Sequence, residues 1–378
     1  MQDIRENSSQ IFKRFPTICI CGYSGSGKTT LIEKLIEKLV QSGYKPGFLK
    51  HAGHPHSFDS PTKDTYRQTK AGAKLSMIFS ENSWSAHGSD INSVIPALLS
   101  ERFDILIIEG FAQTQIDAPK ILLHHESKHA PEVSGKICDV FPSLPNEEDL
   151  DTPAFCRDNI DGIYKFLIEY LTSTKIKSVP LNGVILIGGQ SVRMGEDKFL
   201  INYRNEPEYL RLFKIFSDLP CINNVFLSGR KEQFQQISNE VPKENHIYDD
   251  YLNKGPIGGI LTSLEKLENE AAFVIGCDYP NFNEGITKFL CDKRQPLKPA
   301  TIFSNSEGYF ETTCAIYEPS IIYHIHNLIL RMRLPTNQLF GTLPVEIVDS
   351  KNWQNKLLNI NYKAEKDSFL QGGNEKND

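Results

Sequence analysis

Short apolar runs alternate with stretches of helical periodicity along most of the chain. Runs at residues 17–21, 47–50, 75–79 and 104–108, and again at 184–187, 225–228, 272–276 and 300–303, have strand length. Segments of helix length separate them, an order that predicts right-handed crossovers around mostly parallel sheets and therefore an α/β fold. After the first run, Ile32, Leu35, Ile36, Leu39 and Val40 recur at helical spacing while Glu33, Lys34, Glu37 and Lys38 fall elsewhere. That pattern predicts a helix with one face on a sheet.

The pattern breaks once in the middle. A polar, acidic stretch at 142–153 is followed by helical periodicity at 159–171 and then by the Thr- and Ser-rich residues 172–178, which read as a linker. A fresh apolar strand begins straight afterwards. With 378 residues, and roughly 100 to 200 per domain, two domains are expected: 15–172 and 181–366, joined by a linker at 173–180 and followed by a flexible tail at 367–378. No sequence period links the halves, so the domains are different α/β folds.

Composition narrows the partners. The net charge of -6 is shared evenly between the halves, which excludes a basic nucleic-acid arm. No apolar run approaches membrane-spanning length, and the first residues lack the apolar core of a signal peptide, so a cytoplasmic protein with no membrane partner is expected. Eight cysteines occur without a CxxC pair, against both a disulfide framework and a structural zinc site. They read as small buried hydrophobes, Cys19 and Cys21 on a strand among them.

The first candidate chemistry is GYSGSGKT at residues 22–29, a full P-loop template between an apolar strand and a helix. Gly22, Gly25 and Gly27 let backbone N–H groups converge on a polyphosphate, and Lys28 reaches its terminal phosphates. Thr29 is suited to a magnesium ligand, with Thr30 following in the helix's first turn. Glu109, at the end of the apolar run before Gly110, is the candidate carboxylate near magnesium or its water. His51, His54 and His56 have ligand chemistry, but glycine and proline between them fix no geometry, so a loop near nucleotide is expected. His124 and His125 read as strand-end residues.

In this order, the P-loop, Lys50-His51 through Phe58-Asp59, residues 63–67, Ala71-Gly72-Ala73, residues 108–111 and Pro119-Lys120-Ile121 resemble MobB, the P-loop GTP-binding adaptor family of molybdopterin-guanine dinucleotide synthesis. The resemblance covers most of 15–172. It implies a P-loop NTPase domain that binds GTP and magnesium, weak hydrolysis at most, Asp59 and Asp64 near the nucleotide, and homodimerisation through this domain.

The second loop, residues 186–198, again follows an apolar strand but lacks a Gly-Lys-Thr ending. Gly188 and Gly189 admit a nucleotide close to the backbone, and Arg193 and Lys198 supply charge without a tight cradle, as suits an α-phosphate under attack. The glycines at 188, 189 and 195 do not have dinucleotide-fold spacing. Downstream, residues 249–259 form a glycine-rich loop carrying carboxylates, and an apolar strand delivers Asp278 at its carboxyl end, where open α/β sheets bind ligands. A strand-end Asp is a natural magnesium ligand.

These pieces resemble MobA, the molybdenum cofactor guanylyltransferase family, over roughly residues 181–366. The resemblance implies a Rossmann-like nucleotidyltransferase domain of the nucleotide-diphospho-sugar transferase type. By position, it also implies that Leu186, Ile187, Gly188, Gly189 and Lys198 contact GTP, Gly229 borders the ribose or base, Asp249 holds nucleotide and Asp278 binds magnesium. Asn359 and Asn361 match an Asn-x-Asn signature by the active site, and Lys198, Arg193 and Asp278 are the implied catalytic residues. Two segments depart from the family: Glu311-Thr312-Thr313 before Cys314, where Gln-Pro-Leu is usual, and Tyr362-Lys363-Ala364 after Asn361.

The implied reaction is transfer of GMP from GTP to molybdopterin or its molybdenum-loaded form, releasing pyrophosphate. Apo-molybdoenzymes and upstream cofactor-synthesis proteins are the implied partners. The alternatives are a cytidylyltransferase on the same pterin, a P-loop small-molecule kinase, and a non-catalytic GTP-gated cofactor carrier.

Overall fold

The computed structural model describes residues 16–50, 75–79, 84–88, 104–110, 118–145, 150–188, 197–305, 307–322, 324–326, 340–360 and 362–374. The chain divides into two compact units, Met1–Leu171 and Thr172–Asp378.

In the first unit, β1 (Thr17–Gly22), β2 (Pro46–Lys50), β5 (Ile105–Glu109), β6 (Lys120–Leu123), β7 (Lys136–Phe141) and β8 (Ala154–Cys156) form one sheet, ordered β2-β5-β1-β6-β7-β8 and parallel throughout. Continuous apolar runs in β1 and β5 follow from their central place, since Ile18, Cys19, Ile20, Ile105, Ile107 and Ile108 are all fully buried. Helix α1 (Lys28–Gln41) packs Leu31, Ile32, Leu35 and Leu39 inward. Val40, expected on that face, is 56% exposed, because the buried stripe rotates toward Leu31.

The run at 75–79 also departs from expectation. It is β3 (Leu75–Phe79), paired antiparallel with β4 (Trp84–Gly88) in a separate two-stranded sheet. An apolar pentapeptide specifies a strand but not the sheet it joins.

The segment read as a linker is helical. Helix α2 (Ile160–Ser178) runs through it, and the division between units falls inside that helix. Thr and Ser lower helix propensity only slightly, and no glycine or proline interrupts residues 172–178; Pro180 is the first stop.

In the second unit, β9 (Leu181–Leu186), β10 (Val225–Gly229), β11 (His246–Tyr248), β12 (Ala271–Gly276), β13 (Ala300–Ser304), β14 (Phe310–Tyr317) and β15 (Glu346–Asp349) are ordered β11-β10-β9-β12-β14-β13-β15. Only β14 runs antiparallel to its neighbours, β12 and β13. Alternation along β9 and β12 sends side chains to two separate cores. Ile185, Phe273 and Ile275 meet α3 (Glu208–Ser217) and α5 (Glu284–Asp292) on one face. Val184, Ala272 and Val274 meet α4 (Pro256–Lys266) on the other. The sheet is therefore covered on both sides, and its ligand-binding edge is the carboxyl end of its parallel strands.

The last residues also differ from the expected flexible tail. Helix α6 (Lys363–Asn374) sets Phe369 and Leu370 against Ile201, Tyr203 and Ile360, with Phe369 edge-on to Tyr203. Two apolar residues among polar neighbours do not mark a docked helix in the sequence. Among the described residues no helix is long and apolar enough to cross a membrane.

Candidate active site

The P-loop of the first unit joins β1 to α1. Gly22, Gly25 and Gly27 take φ values of +145°, +83° and +91°, in the region that side chains rarely adopt. Helix α1 has no acidic residue in its first turn to offset its positive end. Lys28 Nζ donates to the carbonyls of Gly22 at 2.9 Å and Tyr23 at 2.7 Å. Its pKa is lowered, chiefly by burial, while the Glu109 carboxylate opposes the shift. Glu109 ends β5 nearly buried, with Lys50 Nζ 3.5 Å away. Thr29 and Thr30 are exposed in the first turn of the helix.

Two residues that reading the sequence did not assign to this loop lie against it. Arg157, just after β8, donates to the Ser26 carbonyl at 3.3 Å, and a Cβ on Gly27 would sit 3.1 Å from its side chain. Gly27 is thus needed for its backbone angle and for the guanidinium packed on it. His125 approaches Gly25, within 3.6 Å of where a Cβ would be. Its neighbour His124 bonds Asp139 at 2.8 Å and stacks on Phe141. Asp139 also accepts from Lys136 and Thr152, and these bonds hold its carboxyl below the usual range although burial opposes them. His51, His54, His56, Asp59 and Asp64 lie outside the described residues.

In the second unit a cavity of about 560 Å³ opens at the carboxyl ends of β9, β10 and β12, within the range of nucleotide sites. Leu186, Ile187, Gly188, Lys198, Asp249 and Asp278 all line it. Gly229 is not in the lining; it packs against Ile187, whose Cγ1 lies 2.5 Å from where a Cβ would be. Gly189, Arg193 and Asn361 lie outside the described residues.

Lys198 Nζ donates to Asp278 Oδ2 at 3.2 Å, while Asp278 Oδ1 is buried without a hydrogen-bond partner among the described residues. The Ile360 N–H donates to the Asp278 carbonyl at 2.9 Å, which ties the 359–360 segment to the end of β12. Asn359 Oδ1 is a second buried oxygen without a partner among the described residues. Unpaired buried acceptors are costly and call for a donor or a cation. Both are hard oxygen donors, the type that suits magnesium. Among the described residues no three His, Cys, Asp or Glu side chains converge as a metal cage, so an ion here would take most of its ligands from phosphates and water.

Asp249 accepts from Ser228 Oγ at 2.7 Å, and its pKa is raised by burial, with that hydrogen bond opposing. A Cβ at Gly188 would meet Asp249 Oδ2 at 2.9 Å, so only glycine lets the loop lie this close to the carboxylate. Ser228 and Arg230, which the sequence does not single out, also line the cavity, as do Tyr251 of the 249–259 loop and Thr313 of the segment that departs from the family. Ser228 and Arg230 flank a strand-end glycine, a signal present in the sequence but weak alone.

A buried ion pair supports the whole arrangement. Arg211 on α3 donates to both Glu208 oxygens, at 2.8 and 2.6 Å, and to the carbonyls of Phe282 at 2.7 Å and Tyr279 at 3.3 Å. It thereby pins the turn that follows Asp278. Tyr279 in turn donates to Glu311 at 3.1 Å and shares a hydrogen bond with Thr313 at 2.8 Å. Burial raises the Glu311 carboxyl, against the Tyr279 hydrogen bond.

The sequence has counterparts among known proteins. Residues 17–140 match the family described as molybdopterin guanine dinucleotide synthesis protein B, MobB, and residues 183–339 match the MobA-like NTP transferase domain. A molybdopterin-guanine dinucleotide biosynthesis adapter protein of Haemophilus influenzae is 34% identical over 42% of this chain and 90% of its own length. A molybdenum cofactor biosynthesis bifunctional protein of Synechocystis is 35% identical over 38% of this chain and 41% of its own. A molybdenum cofactor guanylyltransferase of Campylobacter jejuni is 26% identical over 50% of this chain and 95% of its own. With the P-loop in one unit and the strand-end cavity in the other, the chain belongs to the MobB family through its first unit and carries a MobA-like NTP transferase domain in its second.

Proposed function

We propose that the second unit transfers GMP from GTP to the terminal phosphate of molybdopterin or its molybdenum-loaded form, releasing pyrophosphate, while the first unit binds GTP as an adaptor. The observation that carries this reading is the cavity at the strand ends, where Lys198 meets one oxygen of Asp278 and the other has no partner among the described residues. Nearby relatives named for guanylyl transfer and for the adapter role support it.

The attacking phosphate oxygen of the pterin is already anionic, so no strong general base is required. Catalysis then consists of in-line positioning and charge neutralisation. Lys198, with Arg193, neutralises charge on the α-phosphate. Leu186, Ile187, Gly188 and Gly189 bring the backbone up to the nucleotide, Asp249 orients it, and Gly229 keeps the wall beside Ile187 thin. Asp278 and Asn359, with Asn361, would hold magnesium and the reacting phosphates. Magnesium, when bound, supplies charge neutralisation for the departing pyrophosphate. In the first unit Gly22, Gly25, Gly27, Lys28, Thr29 and Thr30 form the phosphate cradle, with Glu109 beside the magnesium that Thr29 would ligate.

The test is incubation of the pure chain with α-labelled GTP, magnesium and molybdopterin. Labelled dinucleotide and equimolar pyrophosphate are expected. Nucleotide binding without pyrophosphate would leave only a carrier role, γ-phosphate transfer would indicate a kinase, and preferential use of CTP would make the second unit a cytidylyltransferase.

A further inference from the structure

The eight cysteines do not share one environment. Cys19, Cys21, Cys138, Cys277 and Cys314 are buried, and burial pushes Cys21 up to about 11, Cys19 and Cys138 up to about 12, and the other two well above the usual thiol range. Cys156 is half-buried, with its thiol on the Pro142 carbonyl. Cys221 is exposed, and its sulfur lies 2.9 Å from that of Cys291, 70 residues further along.

The two positions are fixed by the fold. Cys221 follows α3 in the connection leading into β10. Cys291 is the penultimate residue of α5, which returns from the end of β12 toward the start of β13. Since α3 and α5 pack side by side on one face of the sheet, the pair sits at the amino ends of the parallel strands, the edge opposite the cavity.

We infer that Cys221 and Cys291 form a thiol-modification site that reacts with a low-molecular-weight disulfide and closes to an intramolecular disulfide. The Cys221 thiolate attacks one sulfur of the small disulfide, forming a mixed disulfide and releasing one thiolate. Cys291 then loses its proton and attacks the Cys221 sulfur, expelling the second small thiol. Two protein thiols are oxidised, and one small disulfide is reduced to two thiols.

The order of attack follows from the surroundings. The hydrogen bond between the sulfurs lowers the Cys221 pKa to about 7 and raises that of Cys291, burial raises both, and Lys288 favours and Asp292 opposes the Cys221 thiolate. Cys221 is exposed while Cys291 is half-buried on α5, so Cys221 is the accessible nucleophile and Cys291 the resolving thiol. The sulfurs need to close only to roughly 2.05 Å. This inference stands apart from the transferase reading, because neither cysteine lines the cavity.

The experiment treats the full native chain with excess oxidised glutathione near pH 7.5, quenches with acid, and maps the peptides by mass. Native protein should lose two of its eight thiols and yield a Cys221–Cys291 linked peptide. Cys291→Ser should stop at one glutathione on Cys221, and Cys221→Ser should acquire neither adduct nor link. Retention of all eight thiols, a Cys291→Ser protein without adduct, or linkage through another cysteine would each overturn the inference.

Discussion

The chain's two phosphate-handling loops differ in what their lysines contact. In the first unit, Lys28 Nζ is satisfied by the Gly22 and Tyr23 carbonyls of its own loop. In the second, Lys198 sits on one oxygen of Asp278, and the other oxygen, like that of Asn359, is buried with no partner among the described residues. A phosphate entering the first loop exchanges internal hydrogen bonds for external ones, a nearly balanced swap suited to reversible binding. A cation entering the second satisfies acceptors that no described residue pairs, and phosphates follow as its further ligands, which suits a site where charge develops and departs. On the proposed transfer, the comparison teaches that a glycine-rich loop after a strand can serve holding or reacting, and that the acceptors left facing the phosphates differ accordingly.

The strongest way to break that contrast is Asp278→Ala. Dinucleotide formation should fall roughly a thousandfold, about 4 kcal/mol of transition-state stabilisation, with the circular dichroism spectrum unchanged. Wild-type turnover would remove the second loop from the chemistry.

Next in size is Arg211→Met, which strands the fully buried Glu208 and frees the Tyr279 and Phe282 carbonyls. A loss of about 3 kcal/mol in denaturant unfolding is expected. Adding Glu208→Leu should restore most of the stability, because the unpaired charge is gone, yet turnover should stay reduced because the turn after Asp278 is no longer pinned. Full recovery of both would make the ion pair a matter of packing alone.

On the other side of the comparison, Lys28→Ala should weaken GTP binding by the first unit roughly thirtyfold, about 2 kcal/mol. Calorimetry should then register one tight nucleotide site per chain in place of two. Two undiminished sites would mean that backbone N–H groups alone hold the phosphates.

Much of this was legible in local sequence. The P-loop, the strands that flank it and the Asp278 strand end are each specified within about a dozen residues, where apolar period and glycine placement decide the outcome. Contacts closed across long separations were not. Arg157 reaches Ser26 across 131 positions, and Arg211 reaches Tyr279 across 68. An arginine's chemistry does not announce its partner. The sequence likewise marked Cys221 as one more buried thiol, because its exposure depends on where the connection after α3 emerges. The linker and tail readings rested on composition, yet α2 continues through residues 172–178 for lack of a helix breaker, and α6 is docked by Phe369 and Leu370.

The finest distinction between the loops concerns Asp249, a carboxylate held against Gly188 at the cavity wall. Burial lifts its pKa above the unfolded value of about 3.9. A carboxyl shifted in that direction contributes stability fully below the unfolded pKa and loses it as pH rises through the folded one. At pH 7 its charged form therefore weighs against the fold, and Asp249→Asn, which can still accept from Ser228, should unfold at slightly higher urea than wild type. The gap should close as pH falls toward about 4, while GTP binding by the second unit weakens. A variant less stable than wild type at pH 7 would mean that the Ser228 hydrogen bond outweighs desolvation, and that Asp249 belongs with the self-satisfied groups of the first loop instead of the strained ones of the second.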